Sequence, residues 1–331
     1  MVRFGKWRGL NRRSPIRLGL VAGGVLAALL ASMPCSTPAF AAEARVVVTL
    51  KPVHALVSEI MDGVGKPLLI VDGAASPHTF TLKPSAARAI SEADVFIRVS
   101  ESLEPFTHKV ADALPASVTL VSLIDAPGLA LRDQRRGDTF ENHGHEKGHD
   151  GHDDHQDGAA RDSHIWLDPL NAKAIVDHVT KLLSQKYPDA AAKLHANATA
   201  LNAKIDALTA EITSDLTPVK DKPFIVFHDA IQYFEARFGM SAAGSVTVSP
   251  DVQPSAKRLT AVRKKIVQLG AACVFSEPGF QPKLVAAVTE GTAARAGTLD
   301  PEGVAIASGP NAYFELMRGL SRSLKACLSS S

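Results

Sequence analysis

The sequence predicts an α/β protein with two lobes, each a parallel sheet flanked by helices, joined by one long rigid backbone helix. Three observations predict this fold. Short apolar segments alternate with longer amphipathic ones, the alternation restarts after residue 220, and one long helical pattern separates the two runs. The composition agrees, because 46% of the residues are hydrophobic and only 5% are aromatic. Alternation of this kind is typical of parallel sheets covered by helices.

Residues 1–41 have the pattern of a cleaved secretory signal peptide. Six basic side chains and no acidic one lie in residues 1–17, an apolar or glycine run covers residues 18–31, and Ala39-Phe40-Ala41 resembles a cleavage site. This order is that of a signal peptide, and the apolar run is too short to span a bilayer comfortably. We therefore expect an exported protein, located in a bacterial periplasm.

Loss of the signal peptide changes the charge and the cysteine count. The chain has 36 basic and 34 acidic residues, whereas residues 42–331 have 30 and 34, a net charge of about −4. A basic surface for nucleic acid is therefore not expected. Cys35 leaves with the signal, and Cys273 and Cys327 remain. In an oxidising compartment this pair indicates a disulfide closing a loop of roughly 55 residues, with two buried thiols as the alternative.

The first lobe is predicted over residues 42–187. Its strands are expected where short runs rich in Val, Ile and Leu occur, at 45–50, 67–71, 95–99 and 118–123. Its helices are expected in the amphipathic segments 84–93, 103–113 and 171–186. Strands and helices are distinguished here by the period of their apolar residues and by the length of each segment.

Residues 188–218 predict a single connecting helix. Its apolar residues recur at spacings of three, four or seven and form one stripe: Leu194, Leu201, Ile205, Leu208, Ile212 and Leu216. Pro188 and Asp189 begin the helix, and Pro218 ends it. At 1.5 Å per residue it would extend roughly 40 Å. We expect a rigid strut between the lobes, with an ordinary core helix as the alternative.

The second lobe is predicted over residues 219–331, where the alternation restarts. Strands are expected at 224–227, 244–248, 272–276 and 296–299. Helices are expected at 230–238, 255–269, 283–292 and 311–327.

Three histidines and one aspartate stand where a metal site is expected. His78 lies in a turn-rich loop after a predicted strand, His164 precedes a predicted helix, and His228 and Asp300 directly follow predicted strands. In open α/β sheets, ligands bind outside the carboxyl ends of the strands. Two residues from each lobe would place the ion in the cleft between the lobes. Three imidazoles and one oxygen form an ordinary tetrahedral zinc site.

A second group of histidines lies in one short segment, residues 142–157. Five imidazoles alternate there with Gly, Asp and Glu, at His143, His145, His149, His152 and His155. His-rich tracts of this composition are typical of metal binding. We expect an accessory, weaker metal site, with a merely solvated loop as the alternative. Glu277 and Glu101, near predicted strand ends, are candidates for orienting a ligand imidazole or for simple solvation.

Five motifs resemble one protein family in the same order along the chain. They cover residues 76–85 (SPHTFTLKPS), 164–169 (HIWLDP), 226–234 (VFHDAIQYF), 275–280 (FSEPGF) and 297–301 (GTLDP). They resemble the cluster A-I (cluster 9) solute-binding proteins of ABC transporters, and within them the zinc-uptake branch. The resemblance implies two α/β lobes joined by a long helix, with the metal buried between them.

The resemblance also implies roles for individual residues. The ligand motifs of the family fall on His78, His164 and His228, with Asp300 or a water at the fourth position. A His/Asp-rich insertion before the second ligand motif is typical of the zinc-uptake branch. A cysteine pair at the positions of Cys273 and Cys327 also occurs there and supports a disulfide. The expected partners are a membrane permease and its cytoplasmic ATPase, with the binding protein itself a monomer.

The choice of metal depends on the third ligand position. Manganese-binding relatives usually have a glutamate where this chain has His228, and imidazole favours Zn²⁺ over Mn²⁺. Some zinc-binding members have a glutamate before the first ligand, where this chain has Pro77. The alternatives are a manganese- or iron-binding protein of the same fold, a passive metal buffer, or a secreted zinc hydrolase. An enzyme is not expected, because the sequence predicts no helix that carries an H-E-x-x-H motif and no adjacent general base.

Overall fold

The computed structural model describes residues 44–73, 75–135, 140, 160–247, 249–250, 252–280 and 282–329. The predicted signal peptide and the His-rich segment 142–157 lie outside these residues. Among the helices of the described ranges, none has the length and apolar character that a membrane crossing requires.

The first sheet has four parallel strands in the order β2-β1-β3-β4. Its strands are β1 (Val46–Val48), β2 (Leu68–Leu69), β3 (Val95–Arg98) and β4 (Thr119–Ser122). The accompanying helices are α1 (Lys51–Ile60), α2 (Pro84–Ser91), α3 (His108–Asp112) and α4 (Pro169–Lys186). All three valines of β1 are buried, because a central parallel strand is covered by helices on both faces.

The second sheet repeats this arrangement, with parallel strands in the order β6-β5-β7-β8. Its strands are β5 (Phe224–Val226), β6 (Ala242–Ser245), β7 (Cys273–Ser276) and β8 (Arg295–Thr298). Its helices are α6 (Gln232–Phe238), α7 (Ala256–Leu269), α8 (Pro282–Thr289) and α9 (Ala312–Ser329). In both sheets the direction of the strand order reverses beside the first strand, which is where α/β sheets bind ligands.

One long helix, α5 (Ala191–Leu216), lies between the two sheets in the chain and continues at each end as a short 3₁₀ turn, Pro188–Ala190 and Thr217–Val219. Its buried side chains form one stripe: Leu194, Ala198, Leu201, Ile205, Leu208, Ile212 and Leu216. This stripe packs against α1, α4 and α9. The two parallel sheets and the long helix confirm the predicted fold class. The division into lobes at residues 187 and 218 stays a prediction.

Two side chains of the first lobe hold the 301–306 segment that follows β8. Lys51, only 3% exposed, donates hydrogen bonds to the carbonyls of Gly303 (2.8 Å) and Ile306 (2.7 Å). Trp166 Nε1 donates to the carbonyl of Pro301 at 3.0 Å. Gly303 has φ +71°, a conformation that favours glycine. The segment is therefore fixed against the opposite lobe.

The prediction of a helix over residues 103–113 was wrong for the first half of that range. The structure has a 3₁₀ turn, Pro105–Thr107, and then the short helix α3. The buried Glu104 carboxylate accepts hydrogen bonds from the backbone N–H of Val99 (2.7 Å) and Ser100 (3.0 Å), and from the Thr49 hydroxyl. These bonds tie Glu104 to the end of β3, so a regular helix begins only after Pro105.

Glu104 gives a testable pH dependence of stability. Burial raises the pKa of Glu104 from 4.5 to about 7, although its hydrogen bonds oppose the shift. Between these two values the unfolded chain has released the proton and the folded chain keeps it. The Glu104 contribution to the free energy of unfolding must therefore fall as the pH rises from 4.5 to about 7.

We expect Glu104→Gln to remove this contribution to the pH slope. Urea unfolding of the metal-free protein and of the variant, at several pH values across this window, measures it. The stability of wild type relative to the variant should decrease steadily with rising pH. Contributions from all other groups are common to both proteins and cancel in the difference. Parallel pH profiles would contradict the expectation.

Candidate metal centre

Three histidines that the sequence singles out meet in the structure. His78 lies in the loop after β2, His164 precedes the 3₁₀ turn Ile165–Leu167, and His228 follows β5. One potential ligand atom from each lies within 4.8 Å of the others. The three ring centroids are 5.4 to 5.9 Å apart. His164 and His228 are buried, and the His78 side chain is 17% exposed.

Two carboxylates orient two of these imidazoles. His164 Nδ1 lies 2.7 Å from Asp162 Oδ1, and His228 Nδ1 lies 2.8 Å from Glu277 Oε1. An ionised carboxylate only accepts, so each Nδ1 donates to its carboxylate and each Nε2 is the nitrogen left to bind a metal. The two Nε2 atoms face each other at 3.4 Å. This carboxylate–histidine arrangement is the one that supports metal-bound imidazoles.

The topology of the second sheet explains why Glu277 reaches His228. These two residues follow β7 and β5, which are adjacent parallel strands, so their side chains emerge at the same edge. Burial alone would lower the pKa of His228, but the charge and hydrogen bond of Glu277 raise it to about 9. Glu101, the other candidate, lies elsewhere: it is exposed and pairs with His108 and Arg98.

The third imidazole, that of His78, lies in a different environment from the other two. Its Nε2 is buried and has no hydrogen-bond partner. Burial, with smaller contributions from the charges of His228 and His164, lowers the pKa of His78 to about 2. The ring is therefore neutral at physiological pH, which is the form that binds metals. A buried and unpartnered nitrogen of this kind is costly unless something binds it.

The distances fit a tetrahedral zinc ion. With Zn–N bonds of about 2.0–2.1 Å, two ligand atoms of a tetrahedron are about 3.3 Å apart. The separation of 3.4 Å between the Nε2 atoms of His164 and His228 corresponds to one such edge. Three imidazole nitrogens also suit zinc better than manganese. The three histidines can therefore fill three of the four positions of a tetrahedral zinc site.

The structure does not bring Asp300 into this group. Its Oδ1 accepts from the Val304 N–H and its Oδ2 from the Ala305 N–H, both at 2.8 Å. The carboxylate caps the turn after β8, as short acidic side chains in turns commonly do. A metal-binding role of Asp300 stays a prediction.

Sequence reasoning missed two acidic residues at the site. Asp162 precedes His164 by two residues, and its Oδ1 also accepts from the His164 N–H at 2.9 Å, so an Asp-x-His pattern was a usable signal. Glu302 is 4% exposed, and its Oε1 lies 3.5 Å from His78 Nε2. Burial raises the pKa of Glu302 to about 8, and the charge of His228 opposes this. No sequence pattern indicated that Glu302 would be buried.

The chain segments on either side of the His-rich insertion meet close to the site. Gln134 N–H donates to the Ala160 carbonyl, and Asp162 N–H donates to the Arg132 carbonyl, each at 2.9 Å. Arg135 forms ion pairs with Asp229 and Glu235 of the second lobe. The five predicted accessory ligands lie outside the described residues: His143, His145, His149, His152 and His155. Their binding of metal stays a prediction.

Comparison with known proteins places the chain among zinc-uptake components. The family profile described as "ZnuA: Zinc-uptake complex component A periplasmic" matches residues 46–327. The high-affinity zinc uptake system protein ZnuA of Brucella suis biovar 1 (strain 1330) is 47% identical over 306 residues, covering 86% of this chain and 91% of its own.

Two solved structures share the fold. A crystal structure of ZnuA superposes with a TM-score of 0.70 at 22% identity, covering 86% of this chain and 99% of its own. A zinc-bound ZnuA deletion mutant superposes with a TM-score of 0.70 at 22% identity, covering 86% of this chain and 98% of its own. At this identity the two structures support the fold alone. The family profile and the Brucella relative show that the chain belongs to the ZnuA family, the periplasmic component A of zinc-uptake complexes.

Proposed function

We propose that the protein captures Zn²⁺ in the periplasm with His78, His164 and His228 and delivers it to an ABC-type permease driven by a cytoplasmic ATPase. The observation that supports this most is the convergence of three imidazoles within 4.8 Å, two of them buried and oriented by carboxylates. The name of the Brucella relative, a high-affinity zinc uptake protein, agrees with it.

The donor set favours zinc over the manganese and iron alternatives. The three converging donors are nitrogens, and hard oxygen-rich sets are the ones that suit Mn²⁺. His228 occupies the decisive position, where its Nδ1 is committed to Glu277 at 2.8 Å and its Nε2 is left for the metal. Zinc is therefore the proposed cargo.

Capture and delivery also explain the site better than hydrolysis. Three histidines with an open water position would serve a zinc hydrolase as well. The family of this chain, however, is a component of zinc uptake. Periplasmic location, the predicted signal peptide 1–41, the permease and ATPase partners and a monomeric state are parts of this proposal. Turnover of ester, peptide or phosphate substrates by the zinc-loaded protein would favour the hydrolase.

Calorimetric titration of the metal-free protein, residues 42–331, tests the proposal. We expect one tight zinc site per chain, which excess Mn²⁺ does not displace, followed by weaker zinc binding. Preference for manganese, or weak zinc binding only, would contradict zinc capture.

Deletion of residues 142–157 should leave the tight site intact and remove the weaker binding. The expectation follows because the three converging histidines lie outside this segment, and the chain on either side of it is held by its own hydrogen bonds. Replacing the five histidines of the segment with Asn at constant length is the matched control and should give the same titration. Loss of the tight site in the deletion variant would show that the segment belongs to it.

A further inference from the structure

Glu302 is a buried carboxylate whose surroundings leave its hydrogen-bonding capacity largely unsatisfied. It is 4% exposed, and its Oε2 is buried without a hydrogen-bond partner. Its Oε1 receives one long hydrogen bond, 3.3 Å from the Ser76 hydroxyl. A buried carboxylate with an unsatisfied oxygen is costly, so such a group calls for a partner.

A neighbouring imidazole nitrogen is also unsatisfied. His78 Nε2, buried and without a hydrogen bond, lies 3.5 Å from Glu302 Oε1. Nitrogen and oxygen ligands on one tetrahedral zinc ion are about 3.3 Å apart. The structure thus contains two separations of this size, one between His164 and His228 at 3.4 Å and one between His78 and Glu302 at 3.5 Å. One cation would contact both pairs once the Glu302 carboxylate moves closer, because Glu302 lies outside the group of three histidines whose ligand atoms are all within 4.8 Å of one another.

The backbone around Glu302 is held so that its side chain faces the first lobe. The carbonyl before it, of Pro301, accepts from Trp166 Nε1, and the carbonyl after it, of Gly303, accepts from Lys51 Nζ. Both donors belong to elements of the first lobe. Side chains fixed in this way hold the geometry that a metal site needs.

Asp300, the alternative carboxylate ligand, already accepts hydrogen bonds at both oxygens. Each oxygen of Asp300 accepts a backbone N–H at 2.8 Å, and these two bonds close the turn that carries Glu302. Turning Asp300 toward the metal would leave the N–H groups of Val304 and Ala305 without their partner.

We propose that Glu302, and not Asp300 or a water, supplies the fourth ligand of the zinc ion. Asp300 then acts as a positioning residue that shapes the turn. This inference rests on the proposed function and completes the site as three imidazoles and one carboxylate. Such a closed set leaves no open position for a reacting water, which suits a carrier and not a hydrolase.

A crystal structure of the zinc-loaded protein is the direct test. We expect a Glu302 oxygen within bonding distance of the ion, about 2.0–2.2 Å, with the two hydrogen bonds of Asp300 retained. A water or an Asp300 oxygen at the fourth position would overturn the inference while leaving zinc capture unaffected. Failure of the wild-type protein to bind zinc at all would overturn both.

Affinity measurements give a second test. Competition with a zinc chelator should show at least a 10-fold loss for Glu302→Gln, whose shape is retained but whose charge is lost. Glu315→Gln, an exposed acid on α9, is the matched control and should bind as wild type does. Thermal unfolding of the metal-free Glu302→Gln variant should show no loss of stability, because the variant removes a buried carboxylate one of whose oxygens has no hydrogen-bond partner. If the Glu302→Gln variant is as stable as wild type without metal and also binds zinc with wild-type affinity, the assignment of Glu302 as a ligand is contradicted.

Discussion

Replacing His228 with Ala should weaken zinc binding about 100-fold or more, and the same change at His78 or His164 should have a comparable effect. Each substitution removes one of three converging nitrogens. Loss of a group that only orients a ligand already costs 10–100-fold in metal affinity, so loss of a ligand should cost more. In the His228 variant the buried Glu277 carboxylate also loses its imidazole partner at 2.8 Å.

The loss can be measured as affinity and as stability. Chelator competition gives the dissociation constant directly. Zinc at 1,000 times the wild-type dissociation constant should stabilise the wild-type protein by about 4 kcal/mol, and a variant with 100-fold weaker binding by only about 1.4 kcal/mol. His195→Ala is the matched control, because His195 is exposed on α5. Near wild-type affinity in all three site variants would exclude these histidines as ligands.

Removing the disulfide should lower the free energy of unfolding by about 4 kcal/mol. Cys273 of β7 is bonded to Cys327 of α9, with a sequence separation of 54 residues and a Cα–Cα distance of 6.2 Å. A crosslink of this span constrains the unfolded chain by about that amount in the chain-entropy model. Urea unfolding of the double variant Cys273→Ala/Cys327→Ala against the oxidised protein measures the difference.

Zinc affinity should survive loss of the disulfide. Cys273 begins β7, whereas Glu277 follows its other end, and four residues of strand separate the two by roughly 13 Å. Reduction of the wild-type protein should reproduce the stability of the double variant. Equal unfolding free energies with and without the bond would show that the crosslink constrains little.

The fold was predictable where a local pattern carries it. The stripe of α5 is visible in the sequence because a helix that buries one face must repeat its apolar residues every three or four positions. Strand β1 is equally predictable, because it is a short run of valines. The helix predicted at 103–113 failed because Glu104 is held by Val99 and Ser100, and tertiary bonds of this kind have no periodic signature.

The site was predictable only in part, for a related reason. His228 follows a strand, and that position alone directs it toward the ligand-binding edge of a sheet. The direction of the acidic side chains after β8 depends instead on Lys51 and Trp166, which bind the carbonyls on either side of Glu302. More than 100 residues separate these donors from Glu302, so no local rule can choose between Asp300 and Glu302.

The anchoring of residues 301–306 to the first lobe has a kinetic consequence. If the lobes open, the buried Lys51 ammonium loses its hydrogen bonds to the Gly303 and Ile306 carbonyls. Each hydrogen bond to a charged group contributes about 1.5–3 kcal/mol to stability. We therefore expect spontaneous opening of the lobes to be rare and a bound zinc ion to dissociate slowly. If the proposed permease competes for these carbonyls on docking, it would speed dissociation, and the rate of zinc transfer would be set by encounter with the permease and not by the equilibrium affinity of the binding protein.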